Sequence, residues 1–145
     1  MPRVPLLLVM LILALPVLLH SSQVRASAEA GEEDPGQQYL SLEPAIVTNF
    51  GAPSRPGYLK ADIVLRVRGD SDSRAQVRHH FPLLRHHLLM LLHRQTAGEL
   101  DSSEGREELR QLALATVQQL LEEETGATLV DDLLFSSFIV QGGAR

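Results

Sequence analysis

The 145-residue sequence contains no cysteine and no tryptophan, and Lys60 is its single lysine. The absence of cysteine excludes disulfides, thiol nucleophiles and cysteine-ligated zinc. The chain also lacks a phosphate-binding loop, a dinucleotide fingerprint, a G-x-S-x-G motif and an H-E-x-x-H motif. A binding or assembly module is therefore a better hypothesis than an enzyme, and no catalytic residue, cofactor site or metal site is predicted.

The composition is that of one exported domain. Hydrophobic residues make up 44% of the chain, which is enough for a packed core. The 18 acidic residues outnumber the 13 basic ones. Setting aside Arg3 and Arg25, which belong to the amino-terminal segment, leaves 11 basic against 18 acidic residues, a net charge of −7. Because nucleic-acid binding depends on basic surfaces, no nucleic acid is expected as a partner.

The amino-terminal residues 1–28 are predicted to be either a signal peptide or an amino-terminal membrane anchor. Residues 4–19 are apolar throughout, and small residues at alternate positions up to Ala28 suit signal peptidase. A membrane span needs roughly 20 apolar residues. The run at residues 4–19 is shorter than that, which favours a signal peptide over a membrane anchor. Both interpretations place the rest of the chain outside the cytoplasmic membrane. Residues 29–38 are polar and are predicted to form a flexible tether, and 142–145 a tail.

Three segments of the domain at residues 39–141 have strand character. Residues 40–50 are predicted to form a first strand that bends at Pro44. Residues 59–67 alternate between apolar and mostly polar side chains, which indicates a strand with one buried face. Residues 128–141 are predicted to form the last strand.

Two amphipathic helices are predicted between the second strand and the last. Residues 74–95 place an apolar stripe on one side, interrupted by Pro82, where a kink or a second helix is expected. A second helix should follow a capping box formed by Asp101 and Glu104 and stop at Gly126. The apolar stripes consist of Val77, Phe81, Leu84, Leu88, Leu91 and Leu92 in the first helix and Leu109, Leu112, Ala113, Val117, Leu120 and Leu121 in the second. The fold class is α+β, a mainly antiparallel sheet packed by two helices in the order β-β-α-α-β.

Five of the six histidines fall within residues 79–93. Their spacing does not bring two ring nitrogens to one ion on a straight helix, because helical metal pairs are three or four residues apart. A solvated face is one interpretation of this row, and a partner-contact surface is another, since apolar side chains project beside it. The candidate contact face consists of His79, Leu83, His86, Met90 and His93.

An acidic cluster ends the second helix. Glu122, Glu123 and Glu124 place negative charge where it opposes the helix dipole. A solvated acidic end is the first interpretation, and a site for a cation or a basic partner is the second.

Four segments of the chain, which occur in the same order as in the family, resemble the periplasmic domain of the FliL family of flagellar basal-body-associated proteins. Residues 39–50, with YLSLEP and VTNF, resemble the family's opening strand, and residues 58–65 resemble its second strand. Residues 82–92 resemble the Pro-x-aliphatic-Arg helix that comes next. Residues 135–141, FSSFIVQ, resemble the closing strand.

This resemblance implies a stomatin-like domain on the periplasmic side of the inner membrane, without catalytic activity or cofactor. It also implies association with the MotA–MotB stator or other basal-body proteins, support of motility, and a homo-oligomer or ring. Family members usually have a cytoplasmic tail and a longer membrane span, whereas only three residues precede the apolar run here. That departure is typical of a signal-peptide-bearing paralogue. Two alternatives stay open: a periplasmic His-rich metal-binding protein and a general envelope scaffold.

Overall fold

The computed structural model describes residues 37–142, and the predictions for residues 1–36 and 143–145 lie outside that range. Three strands come first and a fourth comes last, with helices between them. The elements are β1 (Gln37–Ser41), β2 (Ile46–Phe50), β3 (Gly57–Arg68), α1 (Ser71–His79), α2 (Phe81–His93), α3 (Ala97–Asp101), α4 (Ser103–Thr125) and β4 (Val130–Gly142). The predicted α+β class with an antiparallel sheet is confirmed. The first predicted helix is divided into α1 and α2, the second is α4, and the short helix α3 lies between them.

Strand β3 is the centre of the sheet. It pairs antiparallel with β4 along one edge, and with β1 and β2, one after the other, along the opposite edge. The predicted first strand, residues 40–50, is therefore two strands. The chain leaves the ladder around Pro44, which has no backbone N–H to donate, so the predicted bend is confirmed at this position.

The alternation predicted for the second strand is confirmed. One face of β3 is buried, and the side chains between are half-buried or exposed. The helices pack on the buried face, where α1 contacts β3, α2 contacts β2 and α4 contacts β4. The buried side chains of β3 are Leu59, Ala61, Ile63, Leu65 and Val67.

The helical segment breaks at His80, two residues before Pro82. Pro82 lies in the first turn of α2, where its missing N–H would have no helical partner in any case. The predicted second helix near Pro82 is confirmed. The predicted stripe is also confirmed, because Val77, Leu84, Leu88 and Leu92 are buried, and Phe81 and Leu91 pack partly buried against them.

Two details of the long helix α4 differ from the prediction. Leu112 was expected in the buried stripe, but it is 52% exposed. The buried row is Leu109, Ala113, Val117 and Leu121. This row steps by four residues, and Leu112 lies about 100° around the helix from Ala113. Leu120 is partly buried, as expected.

The helix caps also differ from the prediction. The capping box lies at Thr96 and Glu99, at the start of α3. The N-cap of α4 is Ser102, whose hydroxyl accepts from the Gly105 N–H at 2.9 Å. The box predicted at Asp101 and Glu104 is therefore wrong, because α3 occupies residues up to 101. The stop at Gly126 is confirmed, with a φ of 74° that favours glycine.

Candidate functional site

The predicted contact face is carried mainly by α2. Leu83, His86 and Met90 are spaced by three and four residues, so they lie on one side of this helix. His86 is exposed, Met90 is 39% exposed, and Leu83 is half-buried. The adjacent Leu89 is also exposed. This part of the predicted face is therefore accessible and mixes one imidazole with apolar side chains.

His79 lies on α1, across the helix break from the other members of the predicted face. Its ring packs edge-on against the ring of His80, with centroids 5.1 Å apart. His86 and His87 form a similar pair at 5.4 Å. Because the break at His80 separates His79 from α2, the two imidazole pairs belong to different helices.

His93 lies at the end of α2 and contacts the sheet. Its Nδ1 lies 2.7 Å from the backbone oxygen of Asn49, so Nδ1–H donates to that carbonyl. The Thr48 hydroxyl lies 3.4 Å from the same nitrogen. His93 is exposed, but its Nδ1 is already hydrogen-bonded to β2.

Among residues 37–142, no three His, Cys, Asp or Glu side chains are grouped in a way that could hold a metal ion. His20 lies outside this range. The predicted acidic cluster, Glu122, Glu123 and Glu124, is exposed at the last turn of α4. Glu123 accepts from the Gln119 side chain at 2.9 Å. Among the described residues, no other side chain near this cluster indicates that it binds a ligand.

A shallow depression of about 340 Å³ lies between the start of α4 and β4. The guanidinium of Arg110 crosses it and bonds Glu107 and Asp132, each at 2.6 Å. The bond from Arg110 holds the pKa of Glu107 at about 2. The charges of Glu107 and Arg110 are thus paired, whereas Arg106 donates to the backbone oxygen of Leu100 at 3.3 Å. The rest of the lining is mainly apolar. It is lined by Ser103, Arg106, Glu107, Arg110, Leu134, Phe135 and Phe138.

The sequence analysis missed a second accessible surface, on the sheet face that carries no helix. Most of the exposed large apolar side chains of the described residues belong to it, and we call it the open face. It consists of Tyr39, Val47, Tyr58, Leu134 and Ile139. The sequence analysis predicted alternation only for residues 59–67 and assigned no faces to the other strands, so it did not indicate this surface.

The chain matches the family model described as "Flagellar basal body-associated protein FliL" over residues 39–141. The chain belongs to the FliL family. Its similarity to the "Flagellar protein FliL" of Escherichia coli (strain K12) is 30% identity over 123 residues, covering 84% of this chain and 77% of that protein. The "Flagellar protein FliL" of Aquifex aeolicus (strain VF5) is 25% identical over 100 residues, covering 69% of this chain and 59% of that protein.

FliL membership associates the chain with the flagellar basal body, in the cell envelope, and with motility. Along residues 37–142, each helix is too short or too polar to cross a membrane. Family membership therefore identifies the flagellar basal body as the structure with which the chain is associated. The exposed side chains identify the surfaces that a partner could contact.

Proposed function

We propose that this FliL-family chain is a non-enzymatic protein that supports the MotA–MotB stator from the periplasmic side of the inner membrane. The observation that carries the proposal is the family match over residues 39–141, which includes every helix and nearly all of the sheet described above. The signal peptide or anchor at residues 1–28, the stomatin-like relationship and a homo-oligomer or ring stay predictions within this proposal.

The contact surface that we propose for the stator is the outward side of α2. His86 and Met90 are exposed there, one turn apart, beside the exposed Leu89. Protein interfaces favour methionine and other apolar side chains at their centre and polar groups at the rim. The buried stripe of α2, which includes Leu88, anchors this surface to the core. A partner would therefore meet a supported helix rather than a loop.

In-cell crosslinking of the full chain tests this contact. The chain has no cysteine, so a single engineered thiol gives a unique reporter. His86→Cys and Met90→Cys place the thiol on the proposed surface. Leu112→Cys is the matched control, because Leu112 is an exposed apolar residue on α4. We expect a thiol-reactive crosslinker to join the α2 variants, and not the control, to MotA or MotB.

A deletion strain provides the functional readout. Loss of the chain should reduce swimming, and the full chain should restore it. Met90→Glu should restore it less well than Leu112→Glu at equal protein levels, because a buried interface disfavours an unpaired carboxylate. Normal swimming of the deletion strain, with no compensating relative, would contradict the stator role and favour a general envelope scaffold. Crosslinks from Leu112→Cys alone would reject the α2 surface and leave the stator role intact.

A further inference from the structure

The charges of the described chain are divided unevenly along the sequence. Residues 73–98, which include most of α1 and all of α2, contain no aspartate and no glutamate, and we call them the basic span. They hold five histidines and four arginines, which are Arg74, Arg78, Arg85 and Arg94. The other described residues carry 14 acidic against 6 basic side chains. The basic span is therefore the positive region of a domain that is otherwise negative.

The positive charge of the basic span is not neutralised inside the domain. Within residues 37–142, none of its four arginines forms a salt bridge. Arg74 donates instead to the side chain of Gln38 at 3.4 Å. Arg85 donates to the backbone oxygens of Leu42 and Pro44. Because these acceptors carry no charge, a net positive charge remains on α1 and α2.

Arg94 brings part of this charge to the surface that we propose for the stator contact. His86, Met90 and Arg94 follow one another at intervals of four residues, so they form a row along the outward side of α2. The Nε–H of Arg94 donates to the backbone oxygen of Met90 at 3.0 Å, which directs the side chain back along the helix. All three residues are exposed. An imidazole, a thioether and a guanidinium are thus presented together.

The chemistry of this row favours a protein partner over a lipid surface. Electrostatic binding to anionic lipids usually needs a cluster of about four to eight basic residues. In the basic span, Arg78 and Arg94 are exposed, and the other two arginines are half-buried. A helix that lies in a membrane interface also turns its apolar face toward the lipid. The apolar stripe of α2, which includes Leu84 and Leu88, is instead buried in the core.

A protein that covers this row has to supply a negative group. A guanidinium that is covered without a counter-charge loses its hydration without compensation, which costs free energy. Interfaces therefore set opposite charges against each other, and a carboxylate is the side chain that matches the guanidinium best. Within residues 37–142, no carboxylate forms a salt bridge with Arg94, so its counter-charge has to come from the partner.

We propose that the stator segment that contacts α2 is acidic, with a carboxylate that pairs with Arg94 and a neighbouring apolar side chain that packs on Met90. The inference rests on the proposed function, because it names the chemistry of the partner at the same surface. The apolar contact supplies buried area, and the charge pair supplies selectivity for an acidic segment. The acidic remainder of the domain repels such a segment and leaves α2 as the favoured place of contact.

Photo-crosslinking of the full chain in cells tests the charge of this contact. A benzophenone attached to the thiol of His86→Cys reacts with the protein that lies beside the row, and the yield of stator adduct measures the contact. Adding Arg94→Glu should lower this yield by at least about fivefold, whereas Arg94→Lys should retain it, because the contact depends on positive charge. Arg106→Glu is the matched control, since Arg106 is exposed on α4 outside the basic span. It should leave the yield unchanged.

Charge reversal in the partner separates a lost contact from a weakened fold. Arg94 ends α2, so Arg94→Glu also opposes the helix dipole. Mass spectrometry of the adduct should place an aspartate or glutamate of MotA or MotB within about four residues of the crosslink. Replacing that carboxylate with arginine should restore the yield of Arg94→Glu, which a loss of stability alone would not allow. In isolated membranes, salt raised from about 0.05 M to about 0.5 M should lower the yield for Arg94 but not for Arg94→Gln.

The failure of this inference and the failure of the proposed function give different results. Equal capture of MotA or MotB by chains with Arg94 and with Arg94→Glu would overturn the acidic partner and leave the stator contact intact. Absence of any stator adduct from both His86→Cys and Met90→Cys would overturn the stator contact on α2, and the inference with it. Capture of a phospholipid, or of a second copy of this chain, in place of the stator would also overturn the inference.

Discussion

The imidazole of His93 donates from Nδ1 to the backbone oxygen of Asn49 at 2.7 Å, which joins the end of α2 to the edge of β2. The two residues are 44 positions apart in the sequence. This bond gives His93 a structural role that His86, exposed on the same helix, does not share.

His93→Ala should therefore destabilise the protein. The bond lies at an exposed site, so we expect a loss of about 1 kcal/mol in the free energy of unfolding. His86→Ala is the matched control and should change stability by less than about 0.5 kcal/mol, as is usual for exposed positions. Chemical denaturation of the full chain measures both. Equal stability of the two variants would mean that the His93 bond contributes nothing.

Arg85→Met should loosen the connection between β1 and β2. The substitution keeps an apolar stem but removes the donors to the Leu42 and Pro44 oxygens. The reporter is the Leu42 amide, which bonds the Ile63 oxygen. We expect its opening free energy to fall by about 1–2 kcal/mol in hydrogen exchange, because bonds from a charged donor are the stronger kind. Arg78→Met, at an exposed site on α1, should leave this amide unchanged.

Two glycine substitutions should have opposite effects. In Gly57→Ala, the added methyl would overlap the ring of the buried Phe50, and we expect a loss of about 1–3 kcal/mol. Gly98 in α3 has open space around it. Gly98→Ala should raise stability by about 0.5 kcal/mol, because alanine loses less backbone entropy in a helix. Thermal unfolding compares the variants, and a neutral Gly57→Ala would show that Phe50 can move without cost.

The ion pair of Glu107 and Arg110 predicts a specific dependence of stability on pH. The hydrogen bond from Arg110 lowers the pKa of Glu107 from its ordinary value of 4.5 to about 2 in the folded chain. A carboxylate with a lowered folded-state pKa stabilises the fold above its unfolded pKa, and that contribution is lost as pH falls. The stabilisation should therefore be complete above pH 4.5 and disappear toward pH 2.

Glu107→Gln should remove this part of the acid sensitivity. The melting temperature of the unmodified chain should fall more steeply between pH 4.5 and pH 2 than that of the variant. Added salt should reduce the difference, because Glu107 is exposed to solvent. Parallel pH profiles for the two chains would show that the pair contributes nothing to folding.

The elements predicted best from the sequence are those whose pattern is local. The alternation around Ile63 and the apolar stripe through Leu88 each repeat with the period of one element, and the restricted geometry of Pro82 predicts the start of α2. The exposure of His86 and Met90 follows as the complement of that stripe. These predictions needed no knowledge of how the elements pack.

The predictions that failed depended on packing or on competition between neighbours. Leu112 has the spacing of a core residue but lies at the margin of the stripe that α4 buries. Ser102 caps α4 in place of Asp101, because α3 uses the preceding residues. The bond from His93 to Asn49 joins distant segments, and no local pattern could indicate it.

The antiparallel pairing of β3 with both β1 and β4 has a mechanical consequence. Gln37, at the start of β1, lies opposite Arg68, and Gly142, at the end of β4, lies opposite Gly57. The chain thus enters the sheet at one end of β3 and leaves it at the other. A force that pulls these two points apart acts along the strands. It loads the backbone hydrogen bonds between β3 and its neighbours together, instead of breaking them one after another. The domain is arranged to resist tension between its ends.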